Sequence, residues 1–192
     1  MSPTIPLRSL IQQVTPDPIA RFIRAGLLWK RRTQFRPYNI TKTVEGESFP
    51  FHIGDETGEI WYRLPKDPVY RELAFIRDRM LAPGDIVFDV GSHHGLHAIC
   101  MARHCAKVVA IEPNPHNVSI LKKNVALNAL PNVVLRQAAV GDSCGRVSLL
   151  QDSNQGGVSS PNMHKLPTID TELVSLDQVA QECGFPDLLR SM

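Results

Sequence analysis

Hydrophobic and polar positions alternate between a strand-like and a helix-like period through the centre of this 192-residue chain. Apolar, β-branched runs at 85–90, 107–111 and 132–140 predict three strands. The segments between them, 95–105 and 115–129, carry apolar residues near the helical period. The order strand, helix, strand, helix, strand is typical of a parallel sheet with right-handed crossovers. The pattern therefore predicts an α/β, Rossmann-like fold.

Weaker patterns flank this core. Short apolar runs at 49–53 and 59–62 predict two strands on either side of a glycine-containing turn. Residues 69–81 predict a helix that leads into the sheet. Downstream, 146–150 predicts a further strand, and Ser175 can cap a short helix.

Charge is unevenly distributed along the chain. Residues 1–40 hold seven Lys and Arg side chains and one acid, a charge of +6, so that with a total of +2 the remainder carries −4. The pattern predicts a basic amphipathic helix at 17–31. We expect this helix to pack against the rest of the protein or, alternatively, to bind an anionic membrane or a partner chain. We divide the chain into a basic arm with an irregular lead-in, 1–66, and a partial Rossmann-like domain, 67–192.

The cysteines and the apolar stretches indicate in which cellular compartment the protein occurs. Four cysteines occur without a CxxC pair or a framework spacing, which favours a reducing compartment over a secreted disulfide scaffold. The most apolar N-terminal stretch, 19–29, is interrupted by two arginines and is too short to span a bilayer. We expect a cytoplasmic protein without a transmembrane helix.

The junction between the first predicted strand and its helix is a candidate ligand loop. Gly91 permits a tight turn and Gly95 permits close helix packing, so that backbone amides can face a ligand. Asp89 places a carboxylate at the end of the strand, where it suits a ligand ammonium group. Because the spacing is GxxxG and not GxGxxG, it disfavours a nicotinamide dinucleotide. Glu112, at the end of the second strand, can accept hydrogen bonds from both hydroxyls of an adenosine ribose.

Further blocks lie in order on either side of this loop. Gly84-Asp85 precedes it, and it is followed by Glu112-Pro113-Asn114, Ala138 to Asp142 with Gly145, the Asn154 to Ser160 loop with its two glycines, and Val174 to Asp177. Together they resemble the FkbM family of S-adenosylmethionine-dependent methyltransferases over about residues 68–190. The resemblance implies a class I methyltransferase fold, S-adenosylmethionine as cofactor, and O-methylation of a hydroxyl on a sugar, polyketide or similar metabolite. It implies a small-molecule or glycan acceptor and no specific nucleic-acid partner.

The resemblance also implies roles for single residues. Asp89 and Gly91 would lie at the methionine end of the cofactor, Glu112 on its ribose, and Ala139 and Asp142 near its adenine. The full cofactor-binding set is Asp89, Gly91, Ser92, Gly95, Glu112, Pro113, Ala139 and Asp142.

Three histidines in or near the loop raise the question of a metal site. His93 and His94 are adjacent, so their side chains diverge, and no Cys or carboxylate set completes four ligands with His97. We expect no metal ion. The catalytic base stays unassigned, because this loop faces the cofactor and not the acceptor.

The family's next strand, which borders the acceptor, has no counterpart after 186–189. A half sheet exposes apolar edges, so the sequence predicts a fold that is incomplete in its C-terminal half or completed in an oligomer. The alternative to methyl transfer is a truncated, non-catalytic remnant that binds the cofactor or a partner chain only.

Overall fold

The computed structural model describes residues 35–64, 67–150 and 168–185. Three regions that the sequence singles out lie outside the described residues: the basic helix predicted at 17–31, the loop at 154–160 and the block at 186–189. Among the described residues, no helix combines the length and the apolar character that crossing a membrane requires.

The described chain begins with an antiparallel hairpin of β1 (Tyr38–Val44) and β2 (Glu47–Ile53). The two turn residues have positive φ, 43° at Glu45 and 89° at Gly46, as a two-residue type I′ connection requires. Two helices follow the hairpin, and the second continues as a short π-helical turn. Their bounds are α1 (Glu56–Tyr62), α2 (Asp67–Phe75) and the π-helical turn Ile76–Met80.

The centre of the molecule is a three-stranded parallel sheet in the order β3-β4-β5. One helix follows β3 and another follows β4, so the two predicted β-α-β units are confirmed. Their bounds are β3 (Ile86–Val90), α3 (Leu96–Ala102), β4 (Lys107–Ile111), α4 (Pro115–Leu127) and β5 (Val133–Arg136). Asn114 caps α4, because its side chain accepts a hydrogen bond from the His116 N–H at 2.9 Å.

A second three-stranded sheet has the order β6-β8-β7. Its strands are β6 (Ala139–Val140), β7 (Gly145–Leu150) and β8 (Thr168–Val174). β6 runs parallel to β8 and β7 runs antiparallel to it. The last described helix, α5 (Leu176–Glu182), begins after Ser175, whose side chain accepts from the Gln178 N–H as the sequence predicts.

β4 lies at the centre of the core because both of its faces are covered. Val108 and Ala110 pack with α3 and α4, and Val109 and Ile111 pack with β8 and α5. All four side chains are 0 to 1% exposed. A parallel strand that is buried on both faces has a continuous apolar sequence, which is why this element was readily predicted. The helices on either side complete the predicted Rossmann-like layers.

The predicted strand at 59–62 is wrong, because these residues belong to α1. Asp55 is the N-cap of this helix, and its side chain accepts from the Gly58 N–H at 2.7 Å. Gly58 also permits a close approach, since a Cβ there would lie 2.9 Å from Nδ1 of His94. The capping residue and the tertiary contact therefore outweigh the strand-like composition of Ile60 and its neighbours.

The strand predicted at 132–140 is interrupted. β5 ends at Arg136, and the chain then leaves β4 to pair as β6 with β8. β1 and β8 were missed because a polar residue occupies an inward position of each. These residues are Lys42, which is 3% exposed, and Thr171, which is 4% exposed. They break the apolar alternation by which a strand is recognised.

Asn124 of α4 joins three parts of the fold through one fully buried side chain. Its Oδ1 accepts from the His52 N–H at 2.5 Å, and its Nδ2 donates to the carbonyl of His52 at 3.2 Å and of His94 at 2.9 Å. The hairpin, α4 and the loop after β3 are thereby fixed to one another.

We expect Asn124→Ala to lower the free energy of unfolding by about 3 kcal/mol, because it leaves buried backbone groups of His52 and His94 unpaired. Urea denaturation followed by circular dichroism measures the change. Asn128→Ala is the matched control, one helical turn later. The Asn128 side chain also makes three hydrogen bonds, to the carbonyls of Pro50 and Asn124 and from Arg103, but it is only half-buried, so water can replace its bonds. Its loss should be about 1 kcal/mol or less. Equal losses for the two variants would contradict this role of Asn124.

Candidate functional site

The loop between β3 and α3 is shaped by two glycines with positive φ, 79° at Gly91 and 90° at Gly95. A Cβ on Gly95 would lie 2.3 Å from Cδ1 of Leu121, so glycine allows α4 to approach the loop. The N–H groups of Gly91 and Ser92 both donate to the carbonyl of Ile111, at 2.8 and 3.1 Å. These bonds hold the loop across the carboxyl ends of β3 and β4, the edge where open α/β sheets bind ligands.

Glu112 follows β4 directly and is 5% exposed. Its Oε2 accepts from the His93 N–H at 2.9 Å, and its Oε1 accepts from the Asn114 N–H and from Nδ2 of Asn117, both at 3.0 Å. A carboxylate has about four acceptor positions, so three are used within the protein and about one is left. Sequence reasoning assigned both ribose hydroxyls to this carboxylate, whereas the geometry leaves room for one more donor.

Asp89 lies in β3 just before the loop. Its Oδ2 is buried and, within the described part of the chain, has no hydrogen-bond partner. Burial raises the pKa of the Asp89 carboxyl, against the opposing influence of His97, the Ser92 side chain and the Ala98 N–H. A cation bound nearby would supply the partner that this carboxylate lacks.

A cavity of about 450 Å³ opens beside the loop. This volume lies in the range of small-molecule sites. Its first wall is built from the loop and the end of β4: Gly91, Ser92, His93, Glu112, Pro113 and Asn114. Its other wall is largely apolar and aromatic: Trp61, Tyr62, Val69, Tyr70, Leu149, Leu150 and Ile169.

The structure brings together only part of the set of residues predicted from the sequence. Gly91, Ser92, Glu112 and Pro113 line the cavity. Asp89, in β3, and Gly95, at the end of the loop, are not among the lining residues, although both are close in sequence to residues that are. Ala139 begins β6, and Asp142 is exposed in the turn after it. Neither is among the residues that line the cavity.

Sequence reasoning missed a polar cluster that joins α1 to the loop. The Tyr62 hydroxyl lies 2.7 Å from Nδ1 of His93, and the rings of His93 and His94 stack with centroids 4.0 Å apart. His94 is fully buried, and its Nε2 lies 3.6 Å from Oδ2 of Asp55, the N-cap of α1. We call Asp55, Tyr62, His93 and His94 the α1–loop cluster. The pair of adjacent histidines was its only sequence signal, because α1 was read as a strand.

The α1–loop cluster has perturbed ionisation. Burial lowers the pKa of His93 to about 4, assisted by the neighbouring His94. Burial also raises the pKa of Tyr62 above its ordinary value. Burial alone would raise the pKa of Asp55, but the nearby His94 ring and hydrogen bonds from the Gly58 N–H and His116 outweigh it and hold that pKa below its usual range. His93 and Tyr62 are therefore uncharged at neutral pH.

The side chains of the adjacent His93 and His94 were expected to diverge, but their rings stack on each other. Within 35–64, 67–150 and 168–185, no group of three or more His, Cys, Asp or Glu side chains is arranged to hold a metal ion.

A family model matches the central part of the chain. Residues 71–149 match the model of the TRM5/TYW2 methyltransferase domain. The fold is that of an S-adenosylmethionine-dependent methyltransferase. The match runs from α2 to β7, so it includes the glycine loop and Glu112, and it agrees with the expected fold and with S-adenosylmethionine as the expected cofactor.

Individual relatives match over part of their length. A tRNA (guanine(37)-N(1))-methyltransferase from Leishmania braziliensis is 28% identical over 140 residues, covering 61% of this chain and 20% of the relative. The uncharacterized protein MJ1452 from Methanocaldococcus jannaschii is 33% identical over 67 residues, 33% of this chain and 26% of that protein. The chain thus spans about a fifth to a quarter of these relatives. The crystal structure of M. jannaschii TYW2 in complex with AdoMet gives a TM-score of 0.40 at 21% identity, covering 54% of this chain and 45% of that chain.

The predicted resemblance to the FkbM family is wrong. The family model that matches is the TRM5/TYW2 methyltransferase domain, and it covers the same glycine loop, Glu112 and Ala138 to Asp142 on which the resemblance was built. These residues lie where the fold binds its cofactor and contain little information on the acceptor. The small-molecule or glycan hydroxyl acceptor was inferred from the resemblance and is withdrawn with it.

The expectation of no specific nucleic-acid partner is also wrong. The relative at 28% identity is a tRNA methyltransferase by name. This expectation was derived from the same resemblance to the FkbM family.

Acidification should destabilise the protein through His93. Its pKa falls from 6.5 in the unfolded chain to about 4 in the fold, so folding favours the neutral ring. The stabilisation is complete above pH 6.5 and is lost as the pH falls towards 4. Between pH 7 and pH 5 the wild type should therefore lose about 2 kcal/mol more than His93→Asn.

Chemical denaturation at a series of pH values measures this difference. Asn is the suitable replacement because His93 has a φ of 51°, a left-handed conformation that Asn tolerates better than most residues. Parallel pH dependence in wild type and variant would show that His93 is not held neutral by the fold.

Proposed function

We propose that the cavity beside the Gly91 to Gly95 loop binds S-adenosylmethionine and that this domain methylates a base of tRNA. The observation that carries the proposal is the position of Glu112, which lines the cavity at the end of β4 and keeps about one acceptor site. The family match over 71–149 and the tRNA methyltransferase relative support the choice of reaction and acceptor.

The residues present fit the proposed cofactor in two respects. The acceptor site left on Glu112 suits a ribose hydroxyl. The unpaired, buried Oδ2 of Asp89 suits a cationic group such as the cofactor's ammonium. At Gly91 the absence of a side chain lets a ligand approach the backbone of the loop, which is held rigid by its two bonds to Ile111.

S-adenosylmethionine supplies a methyl group on a positively charged sulfur. The protein's part is to hold the acceptor atom in line with that methyl and to exclude water. Binding two reactants in one oriented site replaces an encounter in solution and accounts for a large share of such rate enhancements. The apolar wall formed by Leu149, Leu150 and Ile169 would exclude water from this side of the cavity.

Asp89→Asn separates ligand binding from folding. Because burial raises the pKa of Asp89, its charged form destabilises the ligand-free protein at neutral pH, so the amide should leave the melting temperature unchanged or raise it. The same change should weaken S-adenosylmethionine binding about tenfold or more, since an ion pair is lost. Isothermal titration calorimetry and thermal melts measure the two effects.

Asp142→Asn is the matched control for this experiment. Asp142 is exposed and away from the cavity lining, so we expect the affinity of this variant to equal that of the wild type. Loss of affinity in Asp142→Asn, with none in Asp89→Asn, would favour the adenine role inferred from the sequence and contradict the site proposed here.

Transfer of a tritiated methyl group from S-adenosylmethionine to unmodified tRNA transcripts tests the reaction. We expect label in tRNA with the wild type, and at least tenfold less with Asp89→Asn at subsaturating cofactor. Binding of the cofactor without transfer to any tRNA would contradict the proposed acceptor. Absence of cofactor binding would contradict the proposal as a whole and favour a non-catalytic domain.

The cytoplasmic location stays a prediction. So does the division of the chain into a basic arm, 1–66, and a Rossmann-like domain, 67–192.

A further inference from the structure

His97 lines the cavity, and the proposed function gives it no role. It is the second residue of α3 and is half-buried. In the part of the chain that the structure describes, no hydrogen bond engages its ring. A neutral imidazole carries one N–H donor and a protonated one carries two. In either form, His97 can therefore donate to an acceptor group of a ligand in the cavity.

Positive charge is scarce on the walls of the cavity. No lysine or arginine is among the described residues that line it. His93 lines it, but burial lowers the pKa of its ring to about 4, so that this histidine is neutral at pH 7. Of the described lining residues, His97 is therefore the one on which a negatively charged group can find a charged or strongly polar donor.

Asp89 lies next to His97 and has the opposite charge. The N–H of Ala98, the residue after His97, is hydrogen-bonded to the Asp89 carboxyl, so the start of α3 lies against this carboxylate. Burial raises the pKa of Asp89, and His97 is the foremost of the groups that oppose this rise, as a nearby imidazole does. Oδ2 of Asp89 is buried and unpaired among the described residues.

A carboxylate beside an imidazole is complementary to a zwitterion. The amino-acid end of S-adenosylmethionine carries an ammonium and a carboxylate on the same carbon atom. Asp89 alone suits the ammonium of any amine, because it addresses one charge only. A second group that donates to the ligand's carboxylate would make the site select an amino acid over a simple amine.

We propose that His97 donates a hydrogen bond to the carboxylate at the amino-acid end of the cofactor, next to the ammonium group held by Asp89. This inference rests on the proposed function for its ligand. It adds a specificity-determining residue on α3 that the sequence-derived set of cofactor-binding residues does not contain.

Calorimetric titration with two ligands that differ only in this carboxylate tests the proposal. S-adenosylhomocysteine carries both charges, whereas its decarboxylated analogue carries the ammonium alone. The wild-type chain should bind S-adenosylhomocysteine about tenfold or more tightly than the analogue, because the analogue forgoes a hydrogen bond to a charged group.

Two variants separate the roles of the neighbouring side chains. His97→Ala should weaken the binding of S-adenosylhomocysteine about tenfold and leave the affinity for the decarboxylated analogue within about twofold of the wild type. The unchanged affinity for the analogue also shows that the variant is folded. Asp89→Asn should weaken the binding of both ligands to a similar extent, because both carry the ammonium.

His104→Ala is the matched control. His104 follows the other end of α3, where its Nε2 lies 2.8 Å from Glu47, and it is not among the described residues that line the cavity. Both affinities of this variant should equal those of the wild type.

Equal affinity of the wild type for the two ligands would overturn the inference. An equal loss for both ligands in His97→Ala would also overturn it, because the imidazole would then act on another part of the ligand or on the fold. Either result leaves the proposed function standing, since S-adenosylhomocysteine still binds to the wild type. If the wild type binds neither ligand, the proposed function fails and this inference fails with it.

Discussion

The site depends on one buried carboxylate. Glu112 accepts the backbone N–H of His93 in the glycine loop, the backbone N–H of Asn114 at the start of α4, and Nδ2 of Asn117. Three donors are needed to hold a charged group that is 5% exposed. The three hydrogen bonds also join the loop after β3, the end of β4 and the start of α4 into one unit. The same residue therefore holds the site together, and in the proposed function its remaining acceptor position is the one that binds the ligand.

A second set of contacts extends this unit to the N-terminal hairpin and α1. Asn124 fixes β2 and His94 to α4, and the α1–loop cluster fixes both ends of α1 to the loop. The cavity is therefore lined on one side by the ends of β3 and β4 and on another by α1. The first wall contains the glycine loop and Glu112, whereas the second is largely apolar and aromatic.

The central strands and the loop could be predicted from the sequence because their local signals agree with their environment. β3, β4 and β5 are short apolar runs in a parallel sheet, and Glu112 is recognisable as an acid directly after such a run. β1 and β8 were missed because Lys42 and Thr171 occupy buried positions. The contact between Tyr62 and His93 joins residues 31 apart through a helix that was read as a strand, so no local pattern indicated it. The family was misassigned because the residues that bind the cofactor say little about the acceptor.

The central claim is that Glu112 has one acceptor position left and uses it on the ribose of the cofactor. Calorimetric titration of the wild-type chain with S-adenosylhomocysteine and with its 2′-deoxy and 3′-deoxy analogues tests this claim without altering the fold. One of the two deoxy analogues should bind about tenfold more weakly than the parent compound, because a hydrogen bond to a charged group is lost. The other should bind with nearly the parent affinity. Parent-like affinity for both analogues would contradict the assignment of Glu112 to the ribose.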